Sequence, residues 1–180
     1  FRDLVKDDKP IIIEPLNNLP VIKDLVVDHE KGFENLKKIQ TWLEPKKPVP
    51  EKEYLVYPSE LKKYQQATNC NLCFACYGVC EAVEDRPEYA GPYAFSRAYR
   101  YVADSRNDEK HKKEIIKHSL EEGFLWSCVQ CQKCIYVCPK GVRPAEDIQQ
   151  LRGISLKYGY EEKAGAKKLQ HFIDWIYATG

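Results

Sequence analysis

Eight cysteines stand in two short segments that share one spacing. The first segment holds Cys70, Cys73, Cys76 and Cys80, and the second holds Cys128, Cys131, Cys134 and Cys138. Each segment has the pattern C-x2-C-x2-C-x3-C, which is typical of thiolate ligands to [4Fe–4S] clusters. All 8 cysteines of the chain lie in these segments. The sequence therefore predicts two such clusters and a role in electron transfer.

The spacing also predicts how the cysteines divide between the clusters. Three thiolates two residues apart can wrap one cubane, whose fourth iron then needs a ligand from another direction. Cys80 follows Cys76 by four residues, so on a short helix both would lie on one face, one turn apart. We therefore expect each fourth cysteine to serve the other segment's cluster. The first set is Cys70, Cys73, Cys76 and Cys138; the second set is Cys128, Cys131, Cys134 and Cys80.

Two other uses of cysteine fit less well. Structural zinc sites pair two C-x2-4-C knuckles rather than two cysteine triplets, each with a further cysteine. A disulfide framework is typical of short secreted chains, and the charged first residues, from Arg2 to Lys9, have no signal-peptide pattern. No Gly-rich phosphate loop or nucleophile elbow is present. The residues between the cysteines, such as Phe74, Tyr77 and Tyr136, are expected to give the clusters an apolar shell.

The elements that must position the cysteines are mainly helices. Apolar periodicity and capping residues predict helices over 30–43, 92–104, 108–122 and 144–156, a short one from Ser59 to Gln66, and a C-terminal one over 161–177. Residues 1–28 are rich in β-branched residues and proline, and are expected to be extended. The predicted fold class is mostly α.

Composition excludes several other functions. The formal net charge is +1, which gives no electrostatic footprint for nucleic acid, and no apolar run approaches the ~20 residues that cross a bilayer. The chain begins with Phe1 and contains 0 Met. We therefore expect these residues to be part of a longer chain.

Several stretches resemble one known family. They are residues 20–28 (PVIKDLVVD), residues 91–107, and both cysteine segments, with Trp126-Ser127 before the second and PKGVRP (139–144) after it. This pattern is similar to the iron–sulfur subunits of succinate dehydrogenase and fumarate reductase. The resemblance covers nearly all of residues 10–155.

The resemblance implies a helical ferredoxin-like domain over 29–180. It also implies that residues 1–28 are the C-terminal remnant of a plant-ferredoxin-like domain, plus a linker, and that a [2Fe–2S] cluster lies in the missing part. The implied partners are an FAD-containing succinate dehydrogenase/fumarate reductase subunit and a membrane-anchor or cysteine-rich, heterodisulfide-reductase-like subunit. The implied location is cytoplasmic, peripheral at the inner face of the cell membrane.

Two departures from the family pattern concern the second cluster. The family usually has another residue at the position of Cys131 and holds a [3Fe–4S] cluster there, so Cys131 predicts [4Fe–4S] instead. Val83 and Val129 stand near the places of the usual quinone-site Trp and His. Both departures argue against direct quinone reduction. The alternatives are the iron–sulfur subunit of a heterodisulfide reductase or of a glycolate or glycerol-phosphate oxidase-type complex, and a structural metal-binding module.

Overall fold

The structure, a computed structural model, describes residues 10–160 together with residues 167, 171, 174–175 and 177–178. Its strands are β1 (Val21–Lys23) and β2 (Val26–Val27). Its helices are α1 (Glu30–Lys38), α2 (Pro58–Leu61), α3 (Gln65–Thr68), α4 (Ala75–Gly78), α5 (Glu81–Asp85), α6 (Pro92–Ala103), α7 (Glu109–Glu121), α8 (Lys133–Tyr136) and α9 (Pro144–Lys157), with a 3-10 turn at Leu125–Ser127. The predicted mostly α fold class is confirmed, while the helix predicted over 161–177 lies outside the continuously described residues.

Helix α6 forms the centre of the core. It begins at Pro92, which follows Gly91 and supplies a preset helical φ at the first position. Helices α3, α4, α7 and α9 pack against it, and α9 makes the most extensive contact. Because α6 is surrounded, it buries residues on more than one face: Pro92, Tyr93, Ala94, Phe95, Ser96, Ala98 and Val102.

Helices α7 and α9 each bury a single face against this centre. Helix α9 buries Ile148, Leu151 and Ser155, and α7 buries Ile115 and Ile116. The spacings of three and four residues keep these side chains on one side of each helix. Both helices end within a residue or two of the bounds that the sequence predicts. Among the described residues, no helix is both long enough and apolar enough to cross a bilayer.

Two predicted helices differ from the structure. Helix α1 ends at Lys38 rather than near residue 43, and its Phe33 is 43% exposed. The helix instead approaches the core through Gly32, where an added Cβ would lie 2.2 Å from the ring of Phe74. The helix expected to begin with Ser59 as its cap starts at Pro58, so Ser59 lies inside it.

The N-terminal described segment has little regular structure. Strands β1 and β2 pair as an antiparallel hairpin. Asn18, which precedes the hairpin, donates from Nδ2 to the backbone oxygens of Tyr77 (3.1 Å) and Cys80 (3.3 Å). These bonds fasten the segment to the turn between α4 and α5. Assigning residues 1–28 to another domain stays a prediction.

Helix α7 has a well-formed N-cap that supports a stability prediction. The Asp108 carboxylate accepts hydrogen bonds from the backbone N–H of Lys110 (2.9 Å) and His111 (3.4 Å). We expect Asp108→Ala to lower the free energy of unfolding by about 1 kcal/mol, because two helix N–H groups lose their acceptor. Glu121→Ala, at the exposed C-terminal end of the same helix, should have no destabilising effect. Urea denaturation monitored by circular dichroism would measure both, and equal losses would contradict the capping role.

Candidate metal centre

The loops of the two cysteine segments have the same backbone conformation. Leu72 and Phe74 have φ of 57° and 60°, and the equivalent Gln130 and Gln132 have φ of 58° and 65°. Left-handed φ is uncommon outside glycine and marks a constrained turn. Because such residues stand on both sides of Cys73 and of the corresponding cysteine, each loop curls around its middle cysteine in the same way. The sequence repeat is therefore a structural repeat.

The relation between the third and fourth cysteines differs from the prediction. Helix α4 ends at Gly78, and Cys80 precedes α5 with an extended conformation (φ −90°, ψ 107°). Cys76 and Cys80 therefore do not share one helical face. Helix α4 cannot continue through Cys80, because the Cys80 carbonyl begins α5 by accepting a hydrogen bond from Val83 N–H at 3.1 Å. Cys80 therefore reaches the cysteines of the second segment because it lies in the break between two helices, and not because of the helical repeat.

Two cavities of similar size bring the cysteines together. The first is lined by Cys70, Cys73, Cys76 and Cys138. The second is lined by Cys80, Cys128, Cys131 and Cys134. Each cavity thus combines three cysteines of one segment with the fourth of the other, the grouping that the spacing predicts. Ligation itself stays a prediction.

The thiols of each cavity also act on one another electrostatically. Burial, together with the neighbouring Cys128, Cys80 and Cys131, raises the pKa of Cys134 to about 12. Burial likewise raises the pKa of Cys76 well above its usual value, with contributions from cysteines of its own cavity and from Cys134. For Cys134 the coupling follows the crossed grouping of the cavities, and for Cys76 it also extends to a cysteine of the other cavity. Since metal ligands must be thiolates, filling either cavity would release protons.

Backbone N–H groups point at several of the sulfurs. Gln130 N–H donates to Cys128 Sγ at 3.4 Å. Burial raises the pKa of Cys70 and Cys80, but N–H groups of Leu72 for the first and of residues 82 and 83 for the second act to lower it. N–H donors stabilise negative charge on sulfur and help to set the potential of an iron–sulfur cluster.

The surroundings of the cavities are apolar on the core side. Phe74 and Tyr77 are buried, and Tyr93 packs edge-on against both rings at 4.6 and 5.7 Å between centroids. Tyr136, by contrast, is 84% exposed, and Val129 of the second cavity is 69% exposed. The apolar shell expected from the sequence is therefore wrong at Tyr136, which lies on the outer side of its short helix. The second cavity borders a surface with exposed apolar side chains.

Arg152 is a residue of this centre that sequence reasoning missed. Its Nη2 donates to the carbonyl oxygens of Leu125 (3.1 Å) and Cys128 (2.6 Å), and its guanidinium lies 4.8 Å from the ring centroid of Trp126. Burial lowers the pKa of Arg152, while Cys128 acts to raise it. The one sign of this role in the sequence is a positively charged residue inside the helix predicted over 144–156. It follows Leu151, which the structure shows to be buried. This side chain fixes the chain where it enters the second segment.

The donor set fits a polynuclear cluster. Among the described residues, no three His, Cys, Asp or Glu side chains surround a point suited to one metal ion. Each cavity is instead lined by four cysteines, the number that a cubane with one thiolate per iron requires. A wider groove of about 810 Å³ lies between residues 15–21 and the turn around Gly78, but Cys80 is the one cysteine among its lining residues.

Comparison with known proteins agrees with this reading. Residues 66–142 match the family model of the 4Fe-4S dicluster domain. The chain is 35% identical over 147 residues to the fumarate reductase iron-sulfur subunit of Mycobacterium tuberculosis, covering 79% of this chain and 58% of the relative. It is 35% identical over 178 residues to the 8-methylmenaquinol:fumarate reductase iron-sulfur subunit of Wolinella succinogenes, covering 97% and 55%.

A plant relative and a solved structure extend the comparison. The mitochondrial succinate dehydrogenase [ubiquinone] iron-sulfur subunit 3 of Arabidopsis thaliana is 35% identical over 146 residues, covering 80% of this chain and 47% of the relative. A chain of the Mycobacterium smegmatis Sdh1 complex in the apo form has the same fold, with a TM-score of 0.79 at 22% identity over 89% of this chain and 67% of that one. The present chain spans about half the length of its curated relatives. Its cysteine segments and its sequence relatives together identify it as a homologue of the iron–sulfur subunits of fumarate reductase and succinate dehydrogenase.

Proposed function

We propose that this chain is the electron-transfer part of the iron–sulfur subunit of a succinate dehydrogenase/fumarate reductase complex. The observation that carries the proposal is the crossed division of the eight cysteines between two adjacent cavities. Crossed ligation keeps two clusters close, because each segment of four cysteines contributes to both. Closely spaced redox centres are what an electron relay requires. The chain carries electrons, and the substrate chemistry belongs to a partner.

We propose a [4Fe–4S] cluster in each cavity. Cys70, Cys73, Cys76 and Cys138 would hold the first, and Cys128, Cys131, Cys134 and Cys80 the second. Cys131 supports the four-iron form at the second site, since it completes a set of four thiolates there. The cluster supplies a one-electron redox couple when it is bound. The chain's own residues orient it, exclude water from the core side and donate N–H bonds to the sulfurs.

The proposed partners follow from the relatives. An FAD-containing subunit would interconvert succinate and fumarate on one side. A [2Fe–2S] domain in the remaining part of the full chain would carry electrons between that subunit and the first cavity. The acceptor side would be a membrane-anchor or cysteine-rich subunit at the inner face of the membrane. The exposed Val129 and Tyr136 beside the second cavity support contact with that subunit, and the menaquinol named in the Wolinella relative supports a quinol as the ultimate donor or acceptor.

The test begins with the native complex, purified without oxygen. We expect reversible reduction of two clusters by electron paramagnetic resonance, iron and sulfide in equal amounts, and co-purification of a flavoprotein with succinate or fumarate activity. Zinc in place of iron would contradict the cluster assignment. Two reversible clusters with a different flavoprotein would contradict the complex but not the relay, and would favour the heterodisulfide-reductase or oxidase alternatives.

A further inference from the structure

Two buried polar side chains face each other where α6 and α9 pack together. Ser96 on α6 has 0% exposure and Asp147 on α9 has 8%. Apart from each other, neither Ser96 Oγ nor Asp147 Oδ2 has a hydrogen-bond partner among the described residues. Buried polar groups are usually paired because leaving one unsatisfied costs about 1–3 kcal/mol. A buried carboxyl beside a single neutral hydroxyl, at a helix–helix contact that could have been apolar, therefore points to a use.

This pair lies beside the first cysteine cavity. Ser96 is one of the residues that line it, and Pro144, the first residue of α9, is another. Asp147 follows Pro144 by three residues, and the Ser96 hydroxyl acts on its carboxyl. The carboxyl is thus one side chain away from the cavity and is nine residues from the nearest cysteine in sequence, Cys138.

The charge on Asp147 is poorly stabilised. A carboxylate in the first turn of a helix is normally favoured by the helix dipole. Burial outweighs both this effect and the lowering contribution of the Ser96 hydroxyl, and with a smaller contribution from Glu146 it raises the pKa of Asp147 to about 7. The carboxyl is therefore poised to gain or lose a proton near neutral pH.

The charged and titratable groups around Asp147 do not fix its protonation state. Tyr99 faces it from α6 and has its own pKa raised, mainly by burial and in part by Asp147. Glu146 is its neighbour on α9 and is paired with Arg143. On the other helices that pack against α9, Glu109 of α7 and Lys133 of α8 have ion pairs of their own. No cation among the described residues forms an ion pair with Asp147.

We propose that Asp147, acting through Ser96, binds a proton when an electron enters the cluster of the first cavity. One electron would pass from a one-electron donor to the cluster, and one proton would leave a hydronium ion of the solvent, breaking an O–H bond there, to form an O–H bond on the Asp147 carboxylate. No other bond forms or breaks. The added negative charge is partly neutralised nearby, so reduction becomes easier at low pH. The inference rests on the proposed function, because it requires a cluster in the first cavity.

The direction of the pH effect follows from linkage. Reduction of the cluster raises the proton affinity of Asp147, so the pKa of Asp147 is higher in the reduced state than in the oxidised state. In the pH range between these two pKa values, the reduction potential of the cluster falls as pH rises. The limiting slope is about 59 mV per pH unit, the value for a tenfold change in one-electron equilibrium. Below both pKa values the carboxyl stays protonated, and above both it stays ionised, so the potential is constant in either range.

The test is a redox titration of the anaerobic native complex, with dithionite as reductant, at a series of pH values. We expect one of the two cluster potentials to depend on pH near neutrality in the wild type. Asp147→Asn should make that potential independent of pH and hold it at the higher, low-pH value. Cys73→Ser, which alters the first cavity, should identify the affected signal by changing that same signal.

Two further variants complete the test. Ser96→Ala should move the pH-dependent range upwards, because the hydroxyl that lowers the pKa of Asp147 is lost. Glu146→Gln removes an exposed charge from the same helix turn and should keep a pH-dependent slope. A pH-independent wild-type potential, a slope that survives in Asp147→Asn, or an unmoved range in Ser96→Ala would overturn the inference. Absence of any reducible cluster in the wild type would instead contradict the proposed function.

Discussion

Replacing Cys80 with alanine should remove the cluster of the second cavity and leave that of the first. Cys80 lines the cavity formed with Cys128, Cys131 and Cys134, although it belongs to the first segment. If each cavity holds one four-iron cluster, the iron bound in the two cavities together should fall by about half. The residual paramagnetic resonance spectrum should match that of Cys131→Ala, a variant of the second segment. Metal analysis and spectroscopy on anaerobically purified protein measure both effects.

The reciprocal variant is the matched control. Cys138→Ala should remove the first cluster, because Cys138 lines the cavity formed with Cys70, Cys73 and Cys76. Its spectrum should therefore match that of Cys73→Ala, a variant of the other segment. If Cys80→Ala resembles Cys73→Ala instead, each segment holds its own cluster and the crossed arrangement is wrong. The comparison needs no independent assignment of either signal.

Gly91→Ala should cause a large loss of stability. Gly91 has φ of +91°, and an added Cβ would lie 2.4 Å from the ring of Tyr77. This backbone conformation (φ 91°, ψ 160°) is essentially restricted to glycine and costs about 1–3 kcal/mol for an alanine, and forcing the packed ring aside costs about 1–3 kcal/mol more. For a chain of this size the melting temperature should fall by roughly 4–24 °C.

Gly153→Ala is the control for this prediction. Gly153 lies inside α9, and an added Cβ there would meet no atom within 4 Å. Alanine in a helix interior is favoured over glycine by roughly 0.5–1 kcal/mol, so this variant should be slightly more stable than the wild type. Thermal unfolding monitored by circular dichroism compares the two. A Gly91→Ala protein as stable as Gly153→Ala would show that the contact between Gly91 and Tyr77 does not hold α4 against the start of α6.

The sequence alone determined the chemistry of this protein. Two cysteine segments with one spacing predict cubane ligands, because the spacing specifies a local loop that three sulfurs can share. The long helices were also predictable. Asp108 caps α7, Pro92 and Pro144 begin α6 and α9, and the apolar residues of each recur at helical spacing. These features depend on neighbours within a few residues, which a sequence displays directly.

Only the tertiary structure decided which buried polar groups surround the centre. Arg152 and Asp147 look like ordinary charges of an amphipathic helix, and Ser96 like a neutral helix residue, until α6 and α9 pack together. The same packing turns Gly32 rather than Phe33 towards the core. Burial and electrostatic coupling depend on groups that are distant in sequence and close in space. The physical reason is that a charge is costly or useful according to what surrounds it, and folding alone supplies those surroundings.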